Sequence, residues 1–559
     1  MPQALKRDIA ALGSQQFDLC VVGGGITGLC VAHDAAARGL AVALLERWDF
    51  AAGTSSATTK LIHGGTRYLE QLELGLVREA LHERRVLMRL APHLVRVQPF
   101  MIPVYKGHKP SGAAIRTGMA LYDALSYDKN WDMPADKHMS WHRFMPSQEV
   151  VEVEPHLPTE GLKGASVYQD GQAPNPMRLC IEFAKTAATN GALFANYAPV
   201  TGLRIEEGRV TGVEALDELS GQAFGVKAKL VVNCAGIWAV EVMKLLGKPP
   251  PVQLSPSKGI HLVTRPLTRR YAVAGFAPSG RRVMIVPWRG KSLVGVTDEY
   301  YDGPLDRIRP TVEEAKVLLE DVNGFLPSAK LTLADIEHAY AGARPLIHQP
   351  GKKASDLSRA YKLFDHASAS GVPGMLSVVG GKLTTSRSLA ETVTNHALKL
   401  LGMSAKCSTE HLPIGGGDIG VVGEYLERQR EQVQELVDEA ILAQLVHSYG
   451  SAYVDVVEYV RKEPRLGERI APHLPFILAE VHYAAEHEMA RTVADVALRR
   501  TDAGNLGDPG GRIGRAVGAE LQKVLGLTDE QVEKQLTAYL DQIAVDGLHG
   551  PEGLQQQHG

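Results

Sequence analysis

The chain has 559 residues, 45% of them hydrophobic, and its 60 basic and 63 acidic side chains leave a net charge of -3. That length holds two or more domains with ample core-forming material, and so even a charge balance argues against a general nucleic-acid binder. Five cysteines, widely spaced and without a CxxC pair, suggest neither a disulfide framework nor a zinc site and fit a reducing cytoplasm.

The opening MPQALKRDIAALGSQQ has no apolar core of signal-peptide length. No uninterrupted apolar run reaches the roughly 18 residues of a spanning helix, so the chain is expected to be soluble or to lie on a membrane surface. An apolar run around Cys20 to Val22 then leads into Gly23, Gly25 and Gly28, which give GxGxxG spacing where a helix should begin. Gly23 suits a tight turn, Gly25 lets backbone approach a pyrophosphate, and Gly28 lets helix and strand pack closely. Ile26 to Arg38 reads as that helix, Gly39 as its cap, and Leu40 to Leu45 as a second buried strand ending at Glu46, an acceptor for ribose hydroxyls.

Residues 54 to 68 collect Thr54, Ser55, Ser56, Thr58, Thr59, Lys60, Leu61, His63, Gly64, Gly65, Arg67 and Tyr68. Hydroxyls and glycines this dense suit close backbone approach to a large ligand, although a solvated loop capping the next helix has a similar composition. Val77, Ala80, Leu81, Leu87 and Met88 share one helical face, which Arg84 interrupts. From Pro99 to Asp170 prolines, aromatics and charges mix. Met177 to Asn190 reads as a helix, Val200 to Ile205 and Val210 to Leu216 as alternating strands, and Ala228 to Asn233 as a buried strand running into Cys234, Ala235 and Gly236.

Residues 242 to 297 carry ten Lys or Arg and no acid. A phosphorylated small molecule would account for Lys258 and His261, and an anionic membrane surface for Arg265, Arg269, Arg270, Arg281 and Arg282 around Phe276. The charge run thus points to an anion nearby, with an ordinary solvated basic loop as the alternative. Strands MIVPW and LVGVT follow. Beyond Arg344 and Arg359, the strand Met375 to Val379 feeds Gly380, Gly381, Lys382, Leu383, Thr384 and Thr385 and then a helix, a second place where backbone N–H groups can meet a ligand. Gly415, Gly417 and Gly420 also spell GxGxxG, but they lack a following strand and acid and read as a linker, 405–420. Helical patterns fill 421–546, and 547–559 is expected to be disordered.

The motifs VVGGGITG, TKLIHGGTRYL, VNCAGIW, ARPL and GGKLTT, in that order, resemble the FAD-dependent, NAD-independent respiratory glycerol-3-phosphate dehydrogenases, and ARTVADVALRRT in the helical region looks similar too. The resemblance implies an α/β architecture: a Rossmann-like FAD-binding domain of the D-amino-acid-oxidase type, an interleaved α+β substrate lobe and a C-terminal helical domain. Cofactor segments would span about 15–90, 150–245 and 345–404, with substrate-lobe segments at about 91–149 and 246–344. Thr66, Ala57 and Ser386 depart from the family's usual residues.

The resemblance further implies oxidation of sn-glycerol 3-phosphate to dihydroxyacetone phosphate, with hydride passing from C2 to FAD and electrons to a membrane quinone. Arg67, Tyr68, Arg359 and Thr384 would contact substrate. His261 would be the base, with Arg344 and Lys382 stabilising the developing alkoxide. Gly23, Gly25, Gly28 and Glu46 would hold the adenosine half of FAD, and Thr54, Ser55, Ser56, Lys60, Leu61, His63, Gly64, Gly236, Gly381, Leu383 and Thr385 the rest. No metal is expected. The implied location is cytoplasmic, peripheral on the inner face of the cell membrane, with a homodimer among the open options. An oxidase passing electrons to O2 with release of H2O2, or a flavin-binding regulatory protein without turnover, stays open.

Overall fold

The computed structural model describes residues 4–107, 110–352 and 357–545, and of Arg67 the backbone alone. The tail expected to be disordered lies outside the described residues. An eight-stranded sheet runs in the order Lys362–Asp365, Met375–Val379, Gln222–Asn233, Gln16–Val22, Val42–Leu45 and Leu193–Ala195, with the hairpin Val200–Glu206 and Arg209–Asp217 attached to Gln222–Asn233. Strands from Met375–Val379 to Leu193–Ala195 are parallel, and Val22 stands beside both Leu45 and Asn233. Helices cover such a sheet, so its central strands are apolar where they meet: Leu19, Cys20 and Val21 are fully buried.

The register brings the ends of all these strands to one edge, and glycine chemistry tightens it. Gly23 leaves its strand at φ 107°, and a Cβ at Gly28 would stand 1.9 Å from the Gly23 carbonyl oxygen. Only hydrogen fits there. The helix Ile26–Ala37 therefore sits directly on the strand, and it packs against both Pro176–Thr189 and Ser386–Leu401.

A second, ten-stranded sheet forms the other lobe. Its longest pairing joins Arg96–Tyr105 to Leu162–Gln172. The expected boundaries need correction here, because Leu162–Gln172 and Leu61–Ile62 lie within the stretches assigned to the cofactor domain yet pair in this sheet. Pro99 and Pro103 within Arg96–Tyr105 concealed the strand, since proline removes a ladder donor and reads as a break.

The acid-free stretch 242–297 is answered by acids from elsewhere. Lys258 pairs with Glu314, Arg265 with Asp335, Arg281 with Asp321, Arg282 with Glu70, Arg289 with Asp502 and Lys291 with Glu337. The free basic face considered for an anionic membrane is thus largely neutralised within the molecule.

The C-terminal part is helical: Val422–Val433, Glu439–Tyr449, Tyr453–Lys462, Leu478–His487, Arg512–Leu525 and Asp529–Ile543, with a π-helical turn at Asp495–Arg500. The segment expected to be a linker is packed rather than loose. Ile414 N–H donates to Leu90 O at 3.0 Å, Gly415 N–H to the Thr186 hydroxyl at 3.0 Å, and Ser451 N–H to Gly416 O at 3.0 Å. Two buried ionic clusters join the helices to the first lobe. Arg178 and Lys185 share Glu182 and Glu488, while Asp49 accepts from Arg499 at 2.7 Å and Arg500 at 2.8 Å. Burial works against the Glu488 carboxylate, but Arg178 and Lys185 outweigh it and hold its pKa below the usual range.

A charge this deep is costly once its partner is gone. Glu488→Ala leaves two buried cations sharing Glu182 alone, and should cost about 3–5 kcal/mol. Thermal unfolding should show a clearly lowered midpoint, and a wild-type midpoint would contradict this role.

Candidate active site

The C-terminal edge of the first sheet presents Gly23 to Gly25, Glu46, Cys234 to Gly236 and Gly380 to Thr385 together. Glu46 accepts from Gly24 N–H at 2.5 Å and Trp48 N–H at 2.9 Å, which fixes its carboxylate beside the glycine turn. Burial nevertheless raises its pKa. Ser55 is buried and its hydroxyl accepts from Ile26 N–H at 3.0 Å, capping the helix whose own N-cap, Gly25, brings no side chain. The helix Ser386–Leu401 has no side-chain hydrogen bond from its N-cap, Thr385. Two helix N-termini, one of them with Ser55 on its first N–H, thus meet at one edge, an arrangement whose positive dipole ends suit a diphosphate.

The segment 54–59 lies flat on the strand Ile336–Arg344. A Cβ at Gly342 would stand 2.4 Å from that of Ala57, so glycine permits this approach. Thr54 Oγ1 donates to Ala343 O at 2.7 Å and Tyr340 OH to Thr58 O at 2.7 Å, clamping the segment. Ser56 turns inward to Gly53 O at 2.8 Å. The Lys60 ammonium sits 4.8 Å from the Trp288 ring centroid, with its pKa lowered by burial against the pull of Asp502. Leu61 is buried beside Gln172, and Leu383 packs into the core of the first lobe.

His63 and the two glycines after it are tied on both sides. His63 N–H donates to the Thr384 hydroxyl at 3.2 Å and Gly64 N–H to Tyr122 OH at 3.0 Å. Tyr122 donates to Asp170 at 2.5 Å, and Asp170 also accepts from Arg84 at 2.8 Å. Arg84, unexplained in the sequence, is therefore part of the support under this loop. The half-buried His63 has its pKa lowered by burial, with Asp170 opposing and Lys382 and Arg84 reinforcing.

Lys382 follows Gly381, whose φ is 104°. Its ammonium lies 3.4 Å from the centroid of the Tyr68 ring, and Nζ is buried without a hydrogen-bond partner among the described residues. Burial brings its pKa down to about 7, with Glu73 and Glu79 opposing and Arg359 reinforcing. Arg359 Nη2 donates to Asp298 at 2.8 Å, while its Nη1 is a second buried donor without a partner among the described residues. Arg344 Nη1 lies 3.3 Å from the same Asp298.

His261 is differently placed. It is 2% exposed, its Nε2 meets the Thr59 hydroxyl at 2.9 Å, and its ring stacks on Tyr340 with centroids 5.0 Å apart. Burial, with Arg344 and Lys60 adding to it, drives its pKa down to about 3. Such an imidazole stays neutral but holds a proton weakly. Of the expected substrate residues, Tyr68, Lys382, Arg359 and Arg344 form one cationic group with His63 beside it; the side chain of Arg67 lies outside the described residues. Asp170, Tyr122 and Asp298 went unnoticed in the sequence, because single acids and tyrosines far apart in the chain carry no local pattern.

The glycine turn, the two helix N-termini and the acid after the second strand define a dinucleotide-binding fold, and residues 18–387 match the model of the FAD dependent oxidoreductase family, which makes the chain a flavoenzyme. Residues 407–532 match that of the C-terminal domain of alpha-glycerophosphate oxidase. The glycerol-3-phosphate dehydrogenase of Synechocystis sp. is 37% identical over 548 residues, 95% of this chain and 97% of that protein. The aerobic glycerol-3-phosphate dehydrogenase of Bacillus subtilis is 35% identical over 514 residues, 89% of each. The solved glycerol-3-phosphate dehydrogenase of Bacillus halodurans, complexed with FAD, has a TM-score of 0.78 and 29% identity, covering 98% of this chain and 100% of that one. The chain belongs to the FAD-dependent glycerol-3-phosphate dehydrogenase family. The expected architecture, a D-amino-acid-oxidase-type cofactor fold with a helical C-terminal domain, holds.

Lys382 supplies a test that needs no turnover. Inorganic sulfate keeps its charge across neutral pH, so binding of sulfate to the FAD-loaded protein should follow the lysine. Protonated below about 7, Lys382 attracts the anion; deprotonated above it, it does not. Calorimetry should show sulfate binding weakening about tenfold as pH rises through that value, the weight of one charge-assisted hydrogen bond. Lys382→Gln should flatten the profile, and an unchanged profile in that variant would remove Lys382 from the anion site.

Proposed function

We propose that this chain oxidises sn-glycerol 3-phosphate to dihydroxyacetone phosphate, with a membrane quinone as the final electron acceptor. Two buried cationic nitrogens support the substrate assignment: Lys382 Nζ and Arg359 Nη1, each without an acceptor among the described residues. A buried donor without a partner costs about 1–3 kcal/mol, more when charged, and an anionic ligand removes that cost. Arg359 and Arg344, with planar forks suited to phosphate oxygens, take the phosphate together with Arg67. The Tyr68 ring lies against the Lys382 ammonium.

Gly23, Gly25 and Gly28 would hold the FAD pyrophosphate and Glu46 the adenosine ribose. Thr54 to Ser56, Lys60 to Gly64, Gly236, Gly381, Leu383 and Thr385 would surround the remainder. Bound FAD supplies the acceptor for the hydride that leaves C2. The chain must take the C2 hydroxyl proton and steady the oxygen as charge develops. Lys382, poised near neutrality, suits the second task. For the first, His261 and His63 are the candidates: burial, with nearby cations adding to it, keeps both imidazoles neutral and able to accept a proton.

Among the described residues no helix is long and apolar enough to cross a membrane. An apolar surface instead supports membrane contact. The helix Gly112–Leu125 exposes Ala113, Ala114, Ala120, Leu121 and Ala124 around Arg116. Tyr127 is 56% exposed, Trp131 59% and Leu72 77%. Exposed tryptophan and tyrosine beside an apolar helix face and a cation suit the lipid headgroup region. The helix packs against Thr66–Glu70, which carries Tyr68, so a lipid-borne acceptor on this face would lie near the site.

Anaerobic mixing of the FAD-loaded protein with glycerol 3-phosphate tests the reaction. The flavin absorbance should bleach, and Arg344→Ala should cut the rate by about 100-fold or more while FAD remains bound. An unbleached wild-type flavin would refute the reading. Stoichiometric peroxide under air would reassign the acceptor to oxygen. For the surface, the double variant Leu72→Asp, Leu121→Asp should stop co-sedimentation with vesicles of mixed zwitterionic and anionic phospholipid without slowing anaerobic reduction. Undiminished sedimentation would remove this face.

A further inference from the structure

Asp298 belongs to none of the motifs that mark the site. It lies just beyond the strand Lys291–Gly295, yet its carboxylate connects two cations brought from segments 46 and 61 residues away. Oδ2 accepts from Arg359 Nη2 at 2.8 Å, and Oδ1 faces Arg344 Nη1 at 3.3 Å. The Ser257 hydroxyl donates to Oδ1 as well. Ser257 is fully buried at the start of the strand Ser257–Thr264 and pairs in register with Arg344. The carboxylate is therefore anchored to the sheet that also carries one of its two arginines.

Two guanidinium groups this close repel each other. A fixed carboxylate between them sets where each fork lies and lowers their joint charge from +2 to +1, while Arg359 Nη1 is left as a donor. We propose that Asp298 is a positioning residue for the substrate anion: it holds Arg344 and Arg359 as one two-armed clamp for a phosphate group. The inference rests on the functional reading above and deepens it. Its sign can be tested, because charge and orientation pull in opposite directions. If Asp298 mattered only as a nearby negative charge, Asp298→Asn would tighten anion binding. If it orients the arginines, the same variant loosens binding, although the site is left more positive.

The experiment compares wild type, Asp298→Asn and Ser257→Ala as FAD-loaded full chains. For Asp298→Asn the KM for glycerol 3-phosphate and the dissociation constant of inorganic sulfate should rise in parallel by about tenfold, as for a lost charge-assisted contact. The kcat should stay within about threefold, the split expected when ground-state and transition-state binding fall together. FAD content and melting midpoint should match wild type. Ser257→Ala, which removes only the anchor of Oδ1, should raise both constants by about threefold. It decides the question if Asp298→Asn does not fold. Unchanged or lowered constants in the variant that folds would overturn the proposal, as would a fall in kcat with no change in either constant. If glycerol 3-phosphate fails to reduce the wild-type flavin, the substrate reading fails by itself, and the sulfate comparison still decides the role of Asp298.

Discussion

A charge withdrawn from water needs a partner, and this molecule meets that demand almost everywhere. Glu488 lies between Arg178 and Lys185, Asp49 between Arg499 and Arg500, Asp170 against Arg84, and Glu83 against Arg387. The first two clusters link segments hundreds of residues apart and join the helical domain to the cofactor lobe. Several guanidinium nitrogens and Lys382 Nζ are buried without a hydrogen-bond acceptor among the described residues. Lys382 Nζ and Arg359 Nη1 differ from the others in place: they lie within each other's field at the edge where the motifs gather, the first against the Tyr68 ring and the second on a guanidinium already paired with Asp298. That position is what suits them to an anion.

The helical domain takes part in this arrangement. Arg499 and Arg500 grip Asp49, three residues beyond the acid Glu46 that faces the glycine turn. The stretch ARTVADVALRRT is mostly buried and partly π-helical at this contact. Within segment 405–420, Ile414 to Gly416 are held between the cofactor lobe and the helices by backbone hydrogen bonds. Its glycines serve close contact, and nothing in their spacing separates that from flexibility.

Much of the cofactor edge was legible because its causes are local. Gly28 is required by its contact with the Gly23 carbonyl five residues earlier, Gly23 leaves its strand at positive φ, and the strand before them is buried from Leu19 to Val22. The pairing of Arg96–Tyr105 with Leu162–Gln172 was not legible, since prolines mask the first strand and the partner is some sixty residues away. The acid-free stretch misled for a related reason: composition counts charges along the chain, whereas neutrality is reached across the fold. The burial of His261, 2% exposed with Nε2 on the Thr59 hydroxyl, was not legible either, since it depends on strands and a segment far apart in the chain. Asp298 and Asp170 had no pattern to announce them.

The central claim is that the unpartnered Lys382 and Arg359 nitrogens await the oxygens of a phosphorylated substrate. It is tested most directly by a crystal structure of the FAD-loaded protein with glycerol 3-phosphate bound under anaerobic conditions. The account predicts ligand oxygens within about 3.2 Å of both Lys382 Nζ and Arg359 Nη1, ordinary charge-assisted hydrogen-bond range. A ligand bound elsewhere, with both nitrogens still unpartnered, would contradict it.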